Sequence, residues 1–143
     1  MDLFEVITPN HDGMPKEIEV SSVLAYLLDP NLDHGLSDIF LSKFTEQFFS
    51  VSVEMLSNVK VFSEKTLGSA GRIDIWIEYG DGSVLAIENK IRDASANNVS
   101  KDDRHQLERY CSEICNSEID KWILGFLVPR ADSPTCKREF DDV

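Results

Sequence analysis

Basic residues are scarce in this 143-residue sequence: 14 Lys and Arg stand against 26 Asp and Glu, for a net charge of -12. A protein that holds nucleic acid tightly usually carries a basic footprint, so tight nonspecific DNA binding by this chain alone is not expected. The deficit is uneven. Residues 1–87 hold fourteen acids and five bases, whereas residues 88–143 hold twelve acids and nine bases. Cysteine is also sparse. Three cannot all pair, and Cys111 and Cys115, four apart, fall on one stripe of a helix. Reduced core thiols are expected; a zinc site from these two with Cys136 and a histidine is disfavoured, because structural zinc sites usually set their cysteines in tight turns. No apolar run approaches the roughly 18 residues of a membrane span. The acidic start Met1-Asp2-Leu3-Phe4-Glu5 lacks the basic stretch of a signal peptide. A cytoplasmic protein without a membrane partner is the expectation. Internal repeats and low-complexity segments are absent too, and the length fits one domain over residues 1–143.

What is present begins with an irregular arm over residues 1–15, marked by Pro9, Asn10, Gly13 and Pro15. A helix is expected from about Lys16 to Leu28, burying Val20, Val23, Leu24, Leu27 and Leu28 and stopped by Asp29-Pro30. A second, from about Ser37 to Leu56, would carry Ile39, Phe40, Phe44, Phe48 and Phe49 on its apolar side, an aromatic stripe that reads as core. Val59–Glu64 reads as a first strand, followed by a turn at Gly68–Gly71. Asp93–Val99 reads as a loop. Ser100-Lys101-Asp102-Asp103 is a helix start of the S-x-x-D type, and the helix runs to about Ser117 with Leu107, Cys111 and Ile114 buried. Trp122–Val128 is an almost wholly apolar run ended by Pro129, as a strand buried on both faces should be. The tail Arg130–Val143 has no legible period.

The chemistry lies between the helices. Gly71-Arg72-Ile73-Asp74-Ile75-Trp76-Ile77-Glu78 and Val84-Leu85-Ala86-Ile87-Glu88-Asn89-Lys90-Ile91 both alternate with period two around a Gly80-Asp81-Gly82 turn. Ile73, Ile75 and Ile77 then share one face and Asp74, Trp76 and Glu78 the other. With the turn centred on Asp81, paired positions sum to 162, so Asp74 faces Glu88 with Cβ atoms roughly 4.5–5.5 Å apart. Two carboxylates at that spacing repel unless a cation sits between them, and Lys90 adds a donor beside them. Oxygen ligands point to Mg2+ or Mn2+, with the carbonyl of Ile87 or Asn89 completing the sphere. Glu64 is either a further carboxylate of that site or a solvated strand end. Taken by themselves, Glu88 and Lys90 could equally form a surface salt pair of little worth.

The constellation resembles the PD-(D/E)XK nuclease superfamily, in which an acidic residue on one strand precedes Glu-x-Lys on the next; here these are Asp74 and Glu88-Asn89-Lys90. Upstream, Glu17, Ser21, Leu24-Ala25, Leu27-Leu28-Asp29-Pro30 and His34-Gly35 look like the opening helix of a bacterial and phage branch of that superfamily. Downstream, Gln106-Leu107-Glu108-Arg109-Tyr110 resembles the Gln-bearing helix after its third strand. The resemblance covers roughly Glu17 to Val128. It implies a restriction-endonuclease-like α-β-β-β-α-β core of α/β class, a four-stranded mixed sheet flanked by helices. It also implies a metal-dependent nuclease, DNA-directed and tied to phage defence or mobile elements. Asp74, Glu88, Lys90, Gln106 and Glu17 would be its catalytic residues, and Lys90 would orient or deprotonate water or steady the phosphorus. Such relatives commonly continue past the final core strand, so a shortened C-terminus is expected. The other reading is a nonenzymatic binding or inhibitory module on the same fold, whose acidic surface imitates nucleic acid. Either way DNA is expected to bind weakly unless a second protomer or partner protein assists.

Overall fold

The computed structural model describes residues 17–49, 58–90, 101–127 and 135–138. Their order is α1 (Glu17–Leu28), α2 (Ile39–Phe49), β1 (Lys60–Leu67), β2 (Gly71–Glu78), β3 (Val84–Asn89), α3 (Lys101–Cys115), β4 (Trp122–Leu127) and β5 (Thr135–Arg138). The expected α-β-β-β-α-β core is therefore present. The sheet runs β1-β2-β3-β4-β5. β1, β2 and β3 form an antiparallel meander, and β4 returns parallel to β3. β5 extends the four-stranded core antiparallel to β4, within the tail that showed no period. The expected arm over residues 1–15, the expected loop over residues 93–99 and residues 50–56, which were expected to extend the second helix, lie outside the described residues.

The β2–β3 hairpin follows from its turn chemistry. Gly82 donates to the Tyr79 carbonyl at 2.9 Å and takes a φ of 85°, a left-handed conformation that glycine adopts without a Cβ penalty. Asp81 Oδ1 accepts from Ser83 N at 2.9 Å and from Ser83 Oγ at 2.6 Å, which stiffens the corner. The resulting pairs, Ile75↔Ile87 through Glu78↔Val84, sum to 162 as a turn centred on Asp81 requires. β3 is buried along its whole length, and β4 nearly so. Strands covered by helices on both faces need such continuous apolar runs.

Alternation along these strands divides the core in two. Ile75, Ile77, Leu85, Ile87 and Ile123 pack with Ala25 and Leu28 of α1 and Leu41 and Phe44 of α2. Trp76, Val84, Ala86, Trp122 and Leu124 pack with Tyr110 and Ile114 of α3. α1 fully buries only Leu28 of the expected set. Its inner stripe is Ser21, Ala25 and Leu28, while Val20, Val23, Leu24 and Leu27 are half-buried flanks. Small residues at the contact let the helix approach the sheet closely, which pushes the larger side chains to its sides.

α2 departs in the same way. Leu41, Phe44 and Thr45 are buried, Phe40 and Phe49 are partly buried, and Ile39 and Phe48 are exposed. A helix turns about 100° per residue, so each step of four overshoots a full turn by about 40°; the 40–44–48 row has left the sheet by Phe48. The thiols diverge likewise: Cys111 is half-buried and Cys115 exposed, so the expectation of core thiols fails for Cys115. The Cys136 side chain lies outside the described residues. Among the described residues no helix is long and apolar enough to cross a membrane.

Candidate active site at the ends of the central strands

One register step beyond Ile75↔Ile87 stand Asp74, midway along β2, and Glu88, near the end of β3. Here a side chain takes over from the backbone ladder: Asp74 Oδ2 accepts from the Asn89 amide at 2.7 Å. Regular alternation stops at the same level. Ile73 was expected beside Ile75 and Ile77, yet it packs with Leu67, Tyr110 and Ile114 on the α3 side. The neighbouring strand is irregular at the same level, where Glu64 takes a φ of 53° between the pairs Ser63↔Ile75 and Lys65↔Ile73. A non-glycine residue in the left-handed region interrupts the pleat and bends the strand.

Glu88 is only 5 % exposed. Its Oε1 accepts from Gln106 Nε2 at 3.0 Å and lies 3.4 Å from Lys90 Nζ. Its Oε2 is buried with no hydrogen-bond partner of good geometry among the described residues. Burial first, and then the charge of Asp74, push the Glu88 carboxyl up to about 7 from the ordinary 4.5; Lys90 opposes them. Asp74 is also raised, by burial, against the pull of the Asn89 amide and Lys90. Both carboxylates are thus held in a place that disfavours their charge, which is the condition a bound cation relieves.

Gln106 is held from behind. Its Nε2 also donates to Tyr110 Oη at 2.9 Å, and Tyr110 Oη donates to the Arg72 carbonyl at 2.6 Å. α3 therefore connects to β2 and β3 through one chain of bonds. Tyr110, absent from the set expected to be buried on this helix, is among the most buried side chains of the α3 layer. The signal that could have found its role is its spacing of four from Gln106, which puts the two on one side of the helix. Tyr110→Phe removes the donor to Arg72 and the acceptor for Gln106. It is expected to cost about 1–2 kcal/mol, read as a lower urea midpoint at unchanged slope; an unmoved midpoint would show that the chain contributes nothing.

The remaining candidates are distributed as follows. Asn89 turns its side chain away from Glu88, donating to Ser21 Oγ on α1 at 3.0 Å. Glu64 is half-exposed and pairs with Arg72 at 3.8 Å. Among the described residues no group of three or more His, Cys, Asp and Glu could hold a metal, so Glu64 is not drawn into a cluster with Asp74 and Glu88. Glu17 opens α1, but its side chain lies outside the described residues. His34-Gly35 is architecture: His34 Nδ1 accepts from Leu36 N at 3.0 Å, so its Nε2 carries the proton donated to the Asp29 carbonyl at 2.8 Å. Asn31 ties the same loop to Val59 at the entry to β1, with Nδ2 donating to its carbonyl at 2.8 Å.

The sequence profile of the PD-(D/E)XK nuclease superfamily matches residues 1–137. No curated protein and no solved structure matches the chain. With the profile spanning nearly the whole sequence and the fold in agreement, the chain belongs to the PD-(D/E)XK nuclease superfamily.

Proposed function

We propose that the chain is a metal-dependent nuclease that hydrolyses phosphodiester bonds of DNA at Asp74, Glu88 and Lys90. The observation that carries this reading is the buried Oε2 of Glu88, without a hydrogen-bond partner among the described residues, beside the carboxylate of Asp74. Hard oxygen donors from these two side chains, with the Asn89 carbonyl, fit Mg2+ or Mn2+. When bound, the ion supplies positive charge against the phosphate and acidifies water. Gln106 keeps Glu88 Oε1 oriented, leaving Oε2 for the ion. Lys90 donates from Nζ to the attacking water or to the phosphate oxygens as negative charge builds there. Glu17 would reach the site from the start of α1. The test is cleavage of DNA by the purified chain with Mg2+ or Mn2+ and with EDTA. Activity confined to the metal and lost in Asp74→Ala supports the reading, and cleavage that survives Asp74→Ala sinks it.

DNA affinity should be low, because the net charge is -12. Lys101, Arg104 and Arg109 belong to the helix that carries Gln106; the side chains of Lys101 and Arg104 lie outside the described residues. Lys43 sits on α2, which covers the opposite sheet face, and pairs with Glu46 at 3.7 Å. The dependence of log K on log salt is expected to be shallow, equivalent to about three or fewer phosphate contacts. Arg104→Ala with Arg109→Ala should weaken binding, and changes at Lys43 and Lys60 should not. A steep slope, or equal losses from both pairs, would place the DNA surface elsewhere.

A further inference from the structure

Asn89, between Glu88 and Lys90, is held at both ends. Its amide donates to Asp74 Oδ2 at 2.7 Å, and its side-chain Nδ2 donates to Ser21 Oγ at 3.0 Å. The next amide along, that of Lys90, donates to the Leu127 carbonyl of β4 at 2.9 Å. Asn89 is 1 % exposed and Ser21 3 %. Two polar side chains are thus buried at the junction of α1 with β3, next to a layer built from Ala25, Leu28, Leu85 and Ile87. Packing alone does not call for them. An apolar pair would suit the same layer, and replacing a buried polar pair by apolar groups of like shape is often close to neutral in stability. What the hydrogen bond adds is register. Contacts through Ala25 and Leu28 tolerate a helix that slides or rolls by a fraction of an ångström, whereas a bond from a strand residue to one particular helix residue does not. The neighbouring serine is spent locally, since Ser22 Oγ donates to the Ile18 carbonyl within α1 at 2.8 Å. Ser21 is the hydroxyl that meets the sheet.

Resting on the nuclease reading above, we propose that Asn89 and Ser21 are positioning residues that pin α1 to the strand end gripping Asp74. The pin fixes that strand end for the two carboxylates, and with it the seat of α1 against the sheet. The middle residue of Glu88-Asn89-Lys90 therefore has a task of its own, on the sheet face opposite the chemistry.

The test compares Ser21→Ala, which leaves Asn89 Nδ2 without this acceptor, with the double variant Ser21→Ala/Asn89→Leu, which removes both partners and restores an apolar contact. The double variant is expected to melt near the wild type and yet cleave DNA about 10- to 100-fold more slowly, through kcat, with KM for DNA within about twofold. A merely structural bond would let kcat recover with stability, and that recovery overturns the proposal. A second readout needs neither metal nor activity: in the metal-free double variant the Asn89 amide should exchange with solvent about 10-fold faster while the core of β3 stays protected. Unchanged exchange at Asn89 also overturns it. A wild-type chain that cleaves no DNA with Mg2+ or Mn2+ would defeat the nuclease reading instead, and the exchange measurement would still decide whether the bond holds the strand end.

Discussion

Glu88→Gln is expected to abolish metal-dependent cleavage and, in the absence of metal, to stabilise the fold above pH 7. The substitution keeps volume, and its amide oxygen can still accept from Gln106 Nε2, the partner Oε1 has at 3.0 Å. What disappears is the charge. In the wild type, burial and then Asp74 raise this carboxyl to about 7 from 4.5, so the folded protein binds the proton more tightly than the unfolded chain does. Stability therefore falls as pH rises from about 4.5 to about 7, and the full penalty, on the order of 3 kcal/mol, is present above that window. The Gln variant lacks this penalty. Asp74 shifts in the same direction and contributes the same sign. Melting metal-free wild type and variant from pH 4.5 to 8.5 should show a wild-type curve that declines with pH and a flatter one for the variant. Mn2+ should raise the wild-type midpoint at pH 8 much more than that of the variant. Cleavage should drop at least about 1,000-fold, the scale of losing a main electrostatic stabiliser of the transition state. A variant less stable than wild type at pH 8 in EDTA would show that Glu88 is not held against its charge.

Lys90→Met should separate chemistry from binding. Lys90 is 16 % exposed at the side chain and lies 3.4 Å from Glu88 Oε1, so methionine fills most of the volume of its stem and removes the donor. A donor acting on the water or the phosphate during the reaction contributes typically 10²–10⁴-fold; about that loss in kcat is expected, with Mn2+ affinity at pH 8 within a few-fold of wild type. The sign of the side effect is also fixed. Lys90 opposes the upward shift of Glu88, so its removal raises that carboxyl further, and any residual activity should need higher pH. Calorimetric Mn2+ titration beside single-turnover cleavage checks both parts. Wild-type turnover in Lys90→Met would remove lysine from the chemistry.

The hairpin at the centre of the site was legible in the sequence because everything that sets it is local. A Gly-Asp-Gly corner, two alternating runs and a pairing rule were enough to align β2 with β3 and bring Asp74 level with Glu88. The order of elements and the parallel return of β4 followed as well, since a wholly apolar run after a helix has few other places to go. The faces of the helices were less legible. Ser21, Ala25 and Leu28, not Val20, Val23, Leu24 and Leu27, form the buried stripe of α1, and Phe48 ends exposed in α2, because hydrophobicity marks a broad side of a helix and the closeness of its neighbour selects the stripe within it. Ile73 packs on the α3 side although strand alternation sets it beside Ile75 and Ile77.

By itself, then, the sequence determined which residues the β2–β3 hairpin brings level and in what register: local turn and strand rules act over a few residues and are written there. Only the tertiary structure decided what kind of site they make. Glu-x-Lys has the same letters on a solvated strand as on a buried one, and it is α3, closing over the end of β3 with Gln106 and Tyr110, that buries Glu88 and leaves Oε2 without a partner among the described residues. The bond from Asn89 to Ser21 joins residues 68 positions apart. Burial and polar pairing across such separations arise when layers dock, and no periodicity within either segment encodes them.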